Sequence, residues 1–427
     1  MDKLIDFKNP IEILNSKIIS LDESHDLEEI FKFVKAHNVN TNNSLFLNQL
    51  FGNTDDLSIL ADKYIAENNT SMYTYEMASV FNIMELEITK KLKELIGFEN
   101  CNSFFLPGGS LSNIEAINTA RYYYDKDIKR KGNKSDLVIL TSDQAHYSIE
   151  KGCALLGLGS DNLIKIKTNY KGEILIDELE KKINELFRQN KNPFMIVGTA
   201  GTTVLGAFDD LDKLIEIKEK YNLWLHIDGA LGGSLIFNDN YKEIYLNNLN
   251  KVNSFCFNPH KLLNLNLQSC VLLFNQDTVT TNYTQVDYLF NSDKFYDSSY
   301  DTGNKYFMCG RKPDIFKFWL VWKIRGVKHF SNLIDNIFQK TLYLKKLLIS
   351  EPNYFELIDN GLSPNVCFFI KNKNPIFVKE SLFKNGLAMI TYQKTKELNN
   401  FFRICFANSN CKIDDINNLF ILLKETI

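Results

Sequence analysis

Between residues 136 and 257, short apolar runs alternate with amphipathic ones. "DLVILTS", "PFMIVGTAGTT", "LWLHIDGALGG" and "SFCF" are apolar stretches of strand length. Among them lie "HYSIEKGCALLGLG", "ILIDELEKKINELFRQ" and "FDDLDKLIEIKEKYN", which carry apolar residues at helical spacing. Strands joined through helices pair in parallel and are covered on both faces, so their sequences are apolar throughout. The pattern predicts an α/β fold around a mostly parallel sheet. Such sheets bind ligands beyond the carboxyl ends of their strands. The polar residues found there are therefore the candidates for function.

Several classes of function are disfavoured. The 49 basic residues are matched by 52 acidic ones with no basic block, so nothing points to nucleic acid. Apolar runs such as "VCFFI" are too short to span a bilayer, and "MDKLIDFKNP" has no apolar signal-peptide core. Eight cysteines lack any CxxC pair, and six histidines are scattered. Reduced thiols, a cytoplasmic setting and no metal site are expected.

The flanks differ from the centre. Residues before about 50 carry a helical pattern, as in "SLDESHDLEEIFKFVKAH". After "GRKPDIFKFWLVWKIRGVKHF", read as one long helix, come "PNVCFFI", "GLAMITYQ" and "NNFFRICFANS", which have strand character. The expected organisation is an N-terminal helical segment 1–50, a large domain 51–325 and a smaller α+β domain 326–427.

Four features gather at predicted strand and helix ends: Lys261 in "NPHK", Asp228 in "LHIDGA", His146 in "SDQAHYS" and the glycine-rich "PGGSLSN". Each has a plain structural alternative. Lys261 could be a solvated strand-end lysine, Asp228 a helix N-cap, His146 a cap or surface histidine, and "PGGS" a loop. Together they meet one chemical requirement. A lysine amine, a carboxylate for a pyridinium nitrogen and backbone N–H groups for a phosphate are what pyridoxal 5'-phosphate needs.

The ordered segments "FLNQLF", "MYTYEMASVFNIMELE", "FLPGGSLSNIEAINTARY", "GTAGTTVLGAFDDL", "LWLHIDGALGGS", "NPHKLL", "YLFNSDKFYDSSYDTGNK" and "NNFFRICFANS" resemble those of the group II pyridoxal-phosphate-dependent decarboxylases. The likeness is strongest to the subset acting on glutamate, aspartate and cysteine sulfinate. It implies a fold-type I, aspartate aminotransferase-like enzyme, a lyase with a seven-stranded, mostly parallel sheet and a smaller C-terminal domain. By resemblance, Lys261 would hold the cofactor aldehyde as a Schiff base. Asp228 would pair with the ring nitrogen and His146 would stack on the ring. Ser110, the Leu111 backbone, Asn258 and His260 would take the phosphate, with Thr203 and Ala230 as further cofactor contacts. Tyr296, on a mobile loop, would protonate the carbanion left after CO₂ departs. A homodimer is implied, with active sites at the subunit interface.

For substrate, the resemblance assigns Arg403 to the side-chain acid, assisted by Gln49. Phe51 stands where glutamate decarboxylases typically have serine, which favours a short acid, aspartate or cysteine sulfinate. The chain departs from the family pattern at Gly229 and Leu231 in "DGAL" and at Asn264 and Asn266 after "NPHKLL". Gly229 is expected to loosen the neighbouring carboxylate. A shared fold does not fix the reaction. An aminotransferase, oxidase or aldolase, or a decarboxylase of an unusual amino acid, stays open on sequence alone.

Overall fold

The computed structural model describes residues 3–133, 136–276, 279–284, 286–290, 293–395 and 398–425. Packing divides the chain into two compact units: Thr54–Asp335, and Met1–Asn53 together with Asn336–Ile427. The smaller unit thus combines residues from both ends of the sequence.

The larger unit is built on a seven-stranded sheet. Its strands are β1 (Asn102–Leu106), β2 (Leu137–Ser142), β3 (Leu163–Ile166), β4 (Asn192–Thr199), β5 (Trp224–Gly229), β6 (Ser254–Phe257) and β7 (Cys270–Phe274), in the order β1-β7-β6-β5-β4-β2-β3. The run from β3 to β6 is parallel, whereas β7 is antiparallel to both its neighbours. Every residue of β2 and β5 is buried, as sheets covered on both faces require. The Ile176–Arg188 helix packs on β4. It places Leu179, Ile183 and Leu186 inward at one-turn spacing and carries Asp177 and Glu178 at its N-terminus, where the helix dipole favours acids. The Gly109–Tyr124 helix packs against β4, β5, β6 and β7. Its Ala116, Ile117 and Ala120 join a core that includes Ile139, Met195 and Leu272.

The run "GRKPDIFKFWLVWKIRGVKHF" is two helices rather than one, Ile315–Arg325 and Val327–Ser350. Gly326 lies between them at φ +73°, a left-handed conformation that glycine adopts without steric cost.

The smaller unit holds a four-stranded antiparallel sheet in the order β10-β11-β9-β8. The strands are β8 (Phe355–Leu357), β9 (Asn365–Ile370), β10 (Thr391–Gln393) and β11 (Phe401–Cys405). The chain around residue 46 lies along this unit. Leu47 N–H donates to the Met389 carbonyl at 2.9 Å, and Met389 N–H returns the bond to Leu45 at 2.9 Å.

A buried charge cluster ties distant segments of the larger unit together. Glu85 is fully buried on the Tyr75–Ile96 helix. It accepts from Arg311 Nη1 at 2.5 Å and from Tyr306 Oη at 3.0 Å, with Lys305 Nζ at 3.2 Å. Arg311 also donates to the Met72 carbonyl and to Thr302, each at 3.0 Å. Burial pulls the Glu85 pKa upward, but the Arg311 and Lys305 charges outweigh it and hold the carboxyl below its usual range. A carboxylate held down in the fold stabilises it above the unfolded pKa, and that contribution is lost as acid protonates the group. Arg311→Leu is expected to cost about 3–5 kcal/mol, because it strands a buried charge. Urea unfolding at neutral pH checks this, and the gap from wild type should narrow at acidic pH.

Candidate active site

The carboxyl ends of β5 and β6 meet the first turn of the Gly109–Tyr124 helix. A methyl group placed on Gly109 would lie 3.2 Å from Ala230 Cβ and 3.4 Å from the amide atoms of Asn258. Helix start, β5 end and β6 end therefore share one small space. Gly108 occupies the N-cap and has no side chain to cap the helix, so the first-turn N–H groups are suited to an anion. Ser110 is exposed in that turn, and Leu111 packs against the core. Thr203 is half-buried in the turn beyond β4.

Asp228 is the penultimate residue of β5 and is 4% exposed. Its Oδ2 accepts from Asn113 Nδ2 at 2.7 Å and its Oδ1 from the Ala230 N–H at 3.0 Å. Donors of this kind are what a buried carboxylate requires. Asn113 Nδ2 also donates to Ser148 Oγ at 2.8 Å, and Ser148 Oγ lies 2.8 Å from His146 Nδ1. One buried amide thus links Asp228 with His146. Burial pushes the His146 pKa down against the attraction of Asp228, and the Lys261 and Lys151 charges push it the same way.

Lys261 follows β6 in the short Pro259–Leu262 turn of helix, where its N–H donates to the Asn258 carbonyl at 2.9 Å. Its charge acts on both His146 and His260, which places the amine within electrostatic reach of both rings. Burial, with Lys261 nearby, pushes the His260 pKa down to about 4, so this ring is neutral. Asn258 Nδ2 is 3.3 Å from His260 Nε2. Asn258 Oδ1 is buried and, among the described residues, has no hydrogen-bond partner. A half-turn of the amide would set the oxygen on His260 and present the NH₂ as a donor beside Gly109.

These groups fit pyridoxal 5'-phosphate. A carboxylate held by fixed donors suits a protonated ring nitrogen. An amine stands nearby, and an amide and an uncapped helix start offer donors for a phosphate. Two departures in the lysine's own segment have structural causes. Asn264 sits at φ +55°, a conformation that asparagine tolerates better than most residues. Asn266 accepts from the Ser58 hydroxyl and donates to Asp62 at 2.7 Å. Gly229 leaves no slack. A methyl there would lie 2.6 Å from the Phe255 ring and 2.7 Å from the Cys256 carbonyl, so Phe255 fills the volume that alanine would need.

The remaining expected residues lie elsewhere. Arg403 is buried on β11 of the smaller unit, with Nη2 donating to the Asn48 carbonyl. Gln49 is exposed, and Phe51 is half-buried with its ring 6.0 Å from that of Phe46. These residues are brought together within one unit. Tyr296 Oη donates to Asp301 at 2.9 Å and accepts from Lys294 at 3.0 Å and from the Glu76 N–H at 3.3 Å. That cluster shares no residue with the Asp228 network. Asn113, Ser148 and His226 stand in the same short segments as the candidate residues, but nothing in the local sequence marks Asn113 or Ser148. His226 could have been found by period, since it lies two residues before Asp228 and so on the same face of β5.

The sequence matches the pyridoxal-dependent decarboxylase conserved domain over residues 13–371. Human cysteine sulfinic acid decarboxylase is 37% identical over 99% of this chain and 91% of its own length. An acidic amino acid decarboxylase of Xenopus tropicalis is 37% identical over 95% of this chain and 84% of its own. A crystal structure of mouse CSAD superposes with a TM-score of 0.93 at 34% identity, covering 99% of this chain and 93% of that one. Motif order, the Lys261–Asp228–His146 arrangement and these likenesses agree, and the chain belongs to the pyridoxal-dependent decarboxylase family.

Proposed function

We propose that this enzyme removes the α-carboxyl group of a short acidic L-amino acid, aspartate or cysteine sulfinate in preference to glutamate. The observation that carries this reading is Arg403, a buried guanidinium oriented by the Asn48 carbonyl immediately before Gln49. Burying a cation is costly, and burial lowers the Arg403 pKa. A guanidinium fixed in orientation is suited to a fork-like bond with a carboxylate or sulfinate. The half-buried Phe51 ring offers bulk where a serine would leave room, which favours a short side chain. Both relatives named above carry an acidic amino acid in their names.

The bound cofactor supplies an aldehyde that links to amines and a ring that accepts the electron pair of the broken bond. In this reading Asp228 keeps a proton on the ring nitrogen, and Asn113 and the Ala230 N–H hold its carboxylate in place. His146 would lie against the ring, and the Lys261 amine would hold the aldehyde. Asn258, His260, Thr203, Ala230 and the Ser110–Leu111 turn fix the cofactor's position. Tyr296 Oη delivers the proton to the α-carbon. Its bonds to Asp301 and Lys294 require either loop movement or service by a partner's copy of the loop, with closure excluding water.

A homodimer accords with this. Met77, Val80, Ile83 and Leu86 form an apolar stripe on the Tyr75–Ile96 helix and are 37–55% exposed, a face of the kind that oligomers cover. The eight cysteines are thiols rather than disulfides, which suits a cytoplasmic setting.

Lys261→Ala is expected to abolish turnover and the long-wavelength absorption of the lysine-bound cofactor. Unchanged turnover in that variant would overturn the assignment of the lysine. In steady-state assays the CO₂ and amine released from aspartate or cysteine sulfinate should exceed those from glutamate in kcat/KM. A clear preference for glutamate rejects the short-acid reading. Arg403→Gln should lower kcat/KM for the preferred acid by about a hundredfold or more, the scale of a lost charge-assisted double contact.

A further inference from the structure

We propose that Asn113 is a positioning residue that locks Asp228 and His146 into one hydrogen-bonded state, with His226, Ser254 and Trp224 setting the direction of every proton behind it. The inference rests on the decarboxylase reading for its consequence, but its hydrogen bonds stand independently of any substrate.

Bond directions follow from what each group can donate. Asp228, as a carboxylate, only accepts, so the amide NH₂ of Asn113 must face it. The second N–H of that NH₂ goes to Ser148 Oγ at 2.8 Å. Ser148, having accepted, turns its own proton to His146 Nδ1 at 2.8 Å, and the Ser148 N–H approaches the same nitrogen at 3.3 Å. His146 Nδ1 is therefore an acceptor, and the neutral ring carries its proton on Nε2.

On the other side Asn113 Oδ1 faces His226 Nε2 at 3.1 Å, so His226 must donate from that nitrogen. The Cys256 thiol approaches the same oxygen at 3.6 Å. His226 is fully buried, and burial pushes its pKa down to about 4 against the attraction of Asp228, so its ring is neutral. Its Nδ1 must accept, and the Ser254 hydroxyl supplies that proton at 2.9 Å. Ser254 in turn accepts from Trp224 Nε1 at 2.9 Å. The strand register sets this up, because Ser254 is the direct cross-strand partner of His226 and Cys256 that of Asp228. The chain begins at a donor-only indole and ends at an acceptor-only carboxylate and the His146 Nδ1. No link can reverse without leaving a buried polar group unpaired, which is costly.

The test uses the full-length protein labelled with ¹⁵N at histidine, with cofactor removed and then restored. Wild type should show both His146 and His226 as neutral Nε2–H tautomers. Ser148→Ala removes the 2.8 Å hydroxyl and leaves only the 3.3 Å backbone N–H on His146 Nδ1, so part of the His146 population should move to the Nδ1–H tautomer while cofactor affinity changes little. Asn113→Ala should do the same to His146 and also raise the cofactor dissociation constant about ten- to a hundredfold, the range spanned by a hydrogen bond to a charged group. His226→Gln keeps a donor near the Nε2 position and should preserve affinity, whereas His226→Leu should weaken it. If Asn113→Ala does not fold, the Ser148 variant and the His226 pair decide the matter. A wild-type His146 protonated on Nδ1, a tautomer unmoved by Ser148→Ala, or equal affinities of the two His226 variants would overturn the proposal. A protein that passes all of this yet releases no CO₂ from any acidic amino acid would refute the proposed function and leave the positioning role standing.

Discussion

A carboxylate at the end of a fully buried strand is expensive to keep ionised. Removing it from water costs several kcal/mol unless fixed donors replace its hydration. Asp228 meets that cost with the Asn113 amide and the Ala230 N–H. Much of the local architecture follows from this requirement. The Gly109–Tyr124 helix must lie across the sheet so that Asn113 reaches β5. β5 must leave the sheet just after Gly229 so that the Ala230 N–H turns back. The helix that supplies the amide also presents its N-terminus to the same space, so one element serves an anionic group and a buried acid together.

The position of Gly229 shows how tightly this end of the sheet is filled. The sequence alone suggested slack beside the carboxylate, because a methyl group is missing relative to the family pattern. The structure fills that volume with the Phe255 ring. The two residues lie on adjacent paired strands. Close-packed interiors accept coordinated swaps of volume more readily than single ones. The glycine and the ring thus fit each other, and the carboxylate beside them keeps its donors.

Legibility from sequence differed by element for physical reasons. β2, β4, β5 and β6 announce themselves, since burial on both faces leaves an apolar run. β1 went unread because "NSFFL" is only five residues long and lies a few residues after a helix, and β3 because "LIKI" is short and partly exposed. The helix break at Gly326 lay inside an apolar pattern that continues on both sides. At the candidate site, Lys261, Asp228 and His146 sit in short motifs that a sequence displays. Their supports are not displayed, because they are tertiary. Asn113 and Asp228 are 115 positions apart, and Asn48 and Arg403 are 355 apart. No local pattern encodes such partnerships.

The division of the chain also has a consequence in time. The larger unit is one continuous stretch, Thr54–Asp335, so it can complete its sheet while the ribosome is still making the rest. The smaller unit draws on both ends of the chain. Its residues 1–53 precede the larger unit in the chain and are completed only by 336–427, which follow it. Closing so long a loop is the slow kind of contact. Arg403 and the carbonyl that orients it therefore meet only when the chain has closed around the whole span of the larger unit.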